Sequence, residues 1–138
     1  MGHDPAAREV LGKFHIDVTD SEREAVAEAG PYLHNYWRVA DAQHPGRTAT
    51  GRSLRSLRRH SRADRLQAAE QIARGNVIAG EPQRCIDLIR RWRDALGLTV
   101  VSGTFYFGGM PQEMALRNIR HFAGEVMPAF AKAETTTP

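Results

Sequence analysis

The chain has 138 residues, 41% of them hydrophobic and 25% charged, which is the size of one domain with a buried core. Nineteen Lys and Arg against sixteen Asp and Glu leave a net charge of +3, and the surplus is local, because seven arginines fall between Arg47 and Arg65. No apolar run reaches the roughly 18 residues of a membrane span, Met1-Gly2-His3-Asp4-Pro5 lacks the regions of an export signal, and the lone Cys85 excludes internal disulfides and cysteine-built metal cages. The expectation is a cytoplasmic chain with no membrane partner.

In chain order, Phe14-His15-Ile16-Asp17-Val18 alternates apolar and polar at period two, as a half-buried strand requires. Thr19 with Glu22, and Ser21 with Glu24, each offer a capping box for a helix that follows. Gly30-Pro31 is expected to interrupt that helix, since proline lacks the amide proton. A second helix then carries Tyr32, Leu33, Tyr36, Trp37 and Val39 as packing surface. From His44 to Ser53, Pro, Gly, Thr and Ser mark a flexible connection. Leu54, Leu57, Leu66, Ala69 and Ile72 sit on Arg-rich helical segments that close at Arg74-Gly75.

Beyond that point two units each read strand, turn, helix. Asn76 to Ala79 is a short strand, Gly80-Glu81-Pro82 a turn with proline near the helix start, and Pro82 to Leu96 a helix with Cys85, Ile89, Trp92 and Leu96 on one stripe, ended by Gly97. Leu98 to Phe107 is β-rich with little alternation, the pattern of a parallel strand covered on both faces. After Gly108-Gly109-Met110, a helix from Pro111 to Ala131 aligns Ala115, Ile119, Phe122, Val126 and Phe130, with a kink expected at Met127-Pro128. Short turns between alternating strands and helices imply βαβ crossovers and a parallel sheet. Two or three such strands do not close a core, and a (β/α)8 barrel takes about 250 residues, so an incomplete fold is expected.

Among motifs, Gly46 to Ser53 mimics a phosphate-binding loop, but Arg52 replaces its lysine and no apolar strand precedes it, so coincidence is the better reading. Arg52, Arg55, Arg59 and Arg62 share a helical face that could meet nucleic acid, yet no aromatic other than His60 interleaves, and a solvated face is preferred. The six histidines show no metal-ligand spacing, and no serine lies in a nucleophile elbow. Cys85, on an apolar stripe, reads as a small core residue. The most informative stretch is the carboxyl end of the last strand, where ligands bind in barrels and open α/β sheets. Phe105, Tyr106, Phe107, Gly108 and Gly109 there offer aromatic faces beside glycines that permit close approach, and they form the candidate pocket. The alternative is a plugged sheet end with a glycine turn, and no general base or nucleophile is identifiable there.

Four blocks carry a resemblance: Gly80-Glu81-Pro82-Gln83-Arg84-Cys85-Ile86, Gly97-Leu98-Thr99-Val100-Val101, Phe107-Gly108-Gly109-Met110-Pro111-Gln112-Glu113, and Leu116 through Pro128 with its Phe122-Ala123-Gly124-Glu125-Val126-Met127-Pro128 ending. In order and spacing they resemble the carboxyl-terminal end of luciferase-like flavin-dependent monooxygenases. Ile16 to Glu22 is similar to that family's strand-to-helix entry, while Glu81 and Gln83 depart from its pattern. The resemblance implies an α/β chain made of the C-terminal βα units of a (β/α)8 TIM barrel, incomplete as a barrel. It divides into a strand plus helices at 14–40, an Arg-rich segment at 41–75, the last two βα units at 76–131, and a disordered tail at 132–138. It further implies reduced flavin mononucleotide (FMN) or a deazaflavin as cofactor, with oxygen insertion into a small organic substrate or, in some members, hydride transfer. Phe105, Tyr106, Phe107, Gly108 and Gly109 would then line the flavin or substrate end. The strands that hold most flavin contacts in the family come earlier and are absent, so the chain is expected to be poorly folded alone, homo-oligomeric, or dependent on a longer homologous chain. A non-catalytic subunit docking on such a homologue is the second reading, and an Arg-rich nucleic-acid binder the third.

Overall fold

The computed structural model describes residues 8–42 and 68–131. It is an α/β arrangement built on three parallel strands, β1 (Leu11–Val18), β2 (Ile78–Gly80) and β3 (Val100–Thr104), in the order β2-β1-β3. Around them lie α1 (Glu22–Ala42), α2 (Ala68–Arg74), α3 (Pro82–Leu96), α4 (Gln112–His121), a π-helical turn (Phe122–Val126) and α5 (Pro128–Ala131). The alternation of β1 sorts the two faces of the sheet. Ile16 and Val18 pack with Ile78, Cys85, Ile86, Leu88, Ile89 and Val126 under α3 and the π turn. On the other face Ala79, Val77 and Phe107 pack with Ala25, Ala29 and Leu33 of α1 and Ile72 of α2.

The expected strand at Phe14–Val18 starts three residues earlier, at Leu11, and it is central, paired with β2 through Ile16↔Ile78 and with β3 through Leu11↔Val100. Successive units of a barrel lie side by side in chain order. Here β2 and β3 are not neighbours, and the β2-α3-β3 crossover passes over β1. The expected strand Leu98–Phe107 is also shorter, Val100–Thr104, and it is a half-buried edge rather than a strand covered on both faces. Its apolar flanks serve packing instead: Leu98 is buried, and Phe107 leaves the ladder for the core.

Of the two capping boxes, the Ser21–Glu24 one forms in part, with the Glu24 return bond going to the residue before the cap. Ser21 Oγ accepts the Glu24 N–H at 3.2 Å, and Glu24 Oε2 reaches back to the Asp20 N–H at 3.0 Å. Pro31 does not break α1, contrary to the sequence expectation. It is exposed, while Ala25, Ala29 and Leu33, before and after it, are fully buried along one stripe. That continuous packing outweighs a local cost of about 3 kcal/mol. Gly75 and Gly97 close α2 and α3 in left-handed conformations as read.

The helix expected from Pro111 to Ala131 is divided. Met127 N–H bonds Phe122 O at 2.9 Å, five residues back, and the wide turn makes room for the ring of Pro128, which starts α5. Along α3, Cys85 and Ile89 are buried as predicted, whereas Leu96 is 56% exposed in a last turn that runs past the sheet.

Where β3 ends, α4 takes over its role. The Asn118 side chain, 1% exposed, accepts the Val18 N–H at 2.9 Å and donates to Ile16 O at 2.5 Å. One side-chain amide therefore continues the ladder along the β1 edge beyond its pairing with β3. Among the described residues, no helix is long and apolar enough to cross a membrane. The phosphate-loop mimic at Gly46–Ser53, the arginines from Arg47 to Arg65 and the tail at 132–138 lie outside the described residues.

Candidate functional site at the strand ends

β3 ends at Thr104 opposite His15, β1 continues to Val18 beside β2, and two polar side chains of β1 turn toward α1. Asp17 is 1% exposed and its Oδ2 has no hydrogen-bond partner. Burial raises its pKa to about 6, with the Glu28 and Glu24 carboxylates adding to the rise and the Arg117 guanidinium opposing it. Arg117 is itself engaged by an ion pair with Glu28. His15 lies two residues back on the same face, its ring edge-on to Tyr36 at 4.5 Å and to Phe107 at 4.9 Å. Its Nε2 is buried without a partner, and burial, aided by Lys13, lowers its pKa, so the imidazole is neutral at pH 7. The strand alternation that places Ile16 and Val18 in one core places these two groups in the other.

The five residues expected to line a pocket part company. Phe107 is 3% exposed beneath His15. Phe105 turns to the opposite face of the sheet and meets Phe122 edge-on at 5.0 Å. Tyr106, between them, is 60% exposed. Gly108 and Gly109 both hold positive φ, 61° and 78°. A side chain at Gly108 would collide with the Tyr32 carbonyl, and the Gly108 carbonyl accepts Asn35 Nδ2 at 2.8 Å, so this turn is clamped to α1. At Gly109 the space is open, with Asn35 Nδ2 4.0 Å from where a Cβ would stand.

The sequence reading passed over His15, Asp17 and Asn118 as site or clamp residues. Their signal was present: a carboxylate between two β-branched residues in an alternating strand, and an asparagine beside the apolar stripe of a helix. Cys85 is buried and its thiol is pushed up to about 12, chiefly by burial, so it is a core group without nucleophilic character. No cluster of metal-ligating side chains occurs among the described residues.

A flavin asks for a slot wide enough for its ring system and for cations or free amides at its phosphate. Asp17 Oδ2 and His15 Nε2 are the kind of orphaned atoms that could meet a ring edge. However, Phe105 and Phe107 lie on opposite faces, α1 covers the His15 side, and Arg84 and Arg117 are held by Glu22 and Glu28. The described residues do not by themselves make a flavin site. No protein-family model matches the chain, and no curated protein matches it.

Proposed function

We propose that the chain belongs to a flavin-dependent oxidoreductase of the luciferase-like kind, in which reduced FMN would supply electrons to O2 so that one oxygen atom enters a small organic substrate and the other leaves as water, or a deazaflavin would exchange a hydride with the substrate. The observation that carries this reading is the placing of the four resemblance blocks on the strand, turn and helix junctions of a parallel sheet. Gly80-Glu81-Pro82 joins β2 to α3, Gly97 to Val101 leads into β3, Phe107 to Glu113 turns from β3 into α4, and Leu116 to Pro128 runs through the π turn. The two ligand-side junctions stand at carboxyl ends of parallel strands, the side on which open α/β sheets take ligands. The exposed Tyr106 and the open side of Gly109 are what this chain would present there.

The test is an anaerobic titration of the full chain with reduced FMN and, separately, a reduced deazaflavin, followed by Trp37 and Trp92 fluorescence. Saturable binding of either is expected. A flat titration of the folded chain, together with native recovery from the cells that make it free of flavin and of any flavin-bearing partner, overturns the proposal.

A non-catalytic subunit is the second reading, favoured by the way α1 fills the His15, Asp17 and Phe107 face of the sheet. It is separated from the first by a chain that binds no flavin alone but is recovered in a complex with a longer homologue carrying one.

A further inference from the structure

The two outer edges of the sheet are treated differently. In β2, Thr19 N–H bonds Gly80 O at 2.9 Å on the β1 side, so the intervening Ala79 carbonyl points outward. Arg84 stops that edge: its Nε donates to Ala79 O at 3.1 Å, while its Nη2 donates to Ile72 O at 2.9 Å and pairs with Glu22 at 2.9 Å. Edge strands that must stay unpaired are blunted in such ways, by a charge, a proline, a bulge or a cover.

Among the described residues, the β3 edge has none of these. Val100 N–H bonds Val10 O at 3.1 Å, so Val100, Ser102 and Thr104 turn their backbone groups to β1 while Val101 and Gly103 turn theirs outward. No described residue bonds to these outward groups. No charged residue occurs between Asp94 and Glu113, and β3 contains neither proline nor bulge.

We propose that the β3 edge is a self-association surface, on which β3 of a second copy of this chain pairs antiparallel about a two-fold axis through Ser102. That register sets Val101 opposite Gly103 of the second copy and the reverse. These are the two residues with outward N–H and C=O groups, so all four outward groups are satisfied by four interchain hydrogen bonds. Each Val101 stands opposite a Gly103 whose side-chain face is covered by the Phe105 ring, an apolar neighbour, and an uncharged strand meets its own copy without like-charge repulsion. This inference stands on the sheet edges and does not rest on the flavin reading.

Sedimentation of the full chain across a concentration series tests it. The expected result is passage from the 15.4 kDa chain to twice that mass. Val101→Pro removes an outward N–H but no bond to β1, so the variant should keep its circular dichroism while its dimer weakens by about ten- to a hundredfold. A wild-type chain that stays monomeric, a dimer that Val101→Pro leaves intact, or a stable complex with a different chain in place of the dimer overturns the proposal. Hydrogen exchange of the wild type decides the matter even where the variant fails to fold. The amides of Val101 and Gly103 should gain protection with concentration, and exchange that is the same at every concentration also overturns it.

Discussion

Asn118 is the side chain on which the β1 edge depends most directly. Its amide satisfies a buried N–H and a buried C=O of one strand, at 2.9 and 2.5 Å, from a helix 100 residues further along the chain. Replacing it by alanine leaves both groups buried and unpaired, at about 1 to 3 kcal/mol each. Asn118→Ala is therefore expected to lose about 2 to 6 kcal/mol of stability in urea denaturation. Asp17 is the opposite case, a buried group whose charge is not compensated. Its pKa is raised from 3.8 to about 6, so between those values the folded chain holds more protons than the unfolded one and stability falls as pH rises. The loss reaches about 3 kcal/mol above pH 6. In Asp17→Asn it should vanish, and the stability gain of the variant over wild type should grow by that amount between pH 4 and pH 7. A difference that does not change with pH would show that Asp17 is solvated.

At the scale of elements, the turn from β3 to α4 contains two glycines that a reader of the sequence would treat alike. Both are left-handed, but only Gly108 lies against backbone, at the Tyr32 carbonyl. Gly109→Ala should cost about 1 to 2 kcal/mol for the conformation alone, whereas Gly108→Ala adds a collision that neither partner can relieve by rotating a side chain, and should cost at least about 3 kcal/mol. Thermal unfolding of the two variants checks the difference. Local signals of this kind were legible: the alternation of β1, the Ser21 cap, proline at the start of α3, and the closing glycines Gly75 and Gly97 are all decided within a few residues. What was not legible depends on distant partners. Pro31 passes through α1 because residues on both sides of it are buried by the same sheet face. The end of β3 at Thr104 likewise follows from its place at the edge, which no window of sequence contains.

For the whole molecule, the parallel sheet follows from alternating strands and helices, but its order does not. Nothing in Phe14 to Val18 shows that this first strand becomes the central one, since the same alternation would suit an edge. The division of the candidate pocket has the same origin. Phe105 and Phe107 are two apart along an extended segment that rounds the sheet, and their parting onto two faces is a matter of topology rather than composition. Likewise the plugging of one sheet edge by Arg84 reflects an ion pair and two carbonyls from three separate segments.

The central position of β1 has a consequence for how the molecule comes to be folded. β1 is made before both of the strands that pair with it, and Val10 and Thr99, joined at its start, are 89 residues apart. At synthesis rates of about 5 to 20 residues per second, β1 waits on the order of 5 to 20 s before β3 can be made, and longer for the clamp from Asn118. Refolding from denaturant faces the same long loops without the delay, and non-local parallel pairing of this sort is slow. Until β2, which pairs with Ile16 through Ile78, has been made, the apolar side chains of Ile16 and Val18 have no strand beside them, which makes the newborn chain, more than the finished one, the form in need of protection.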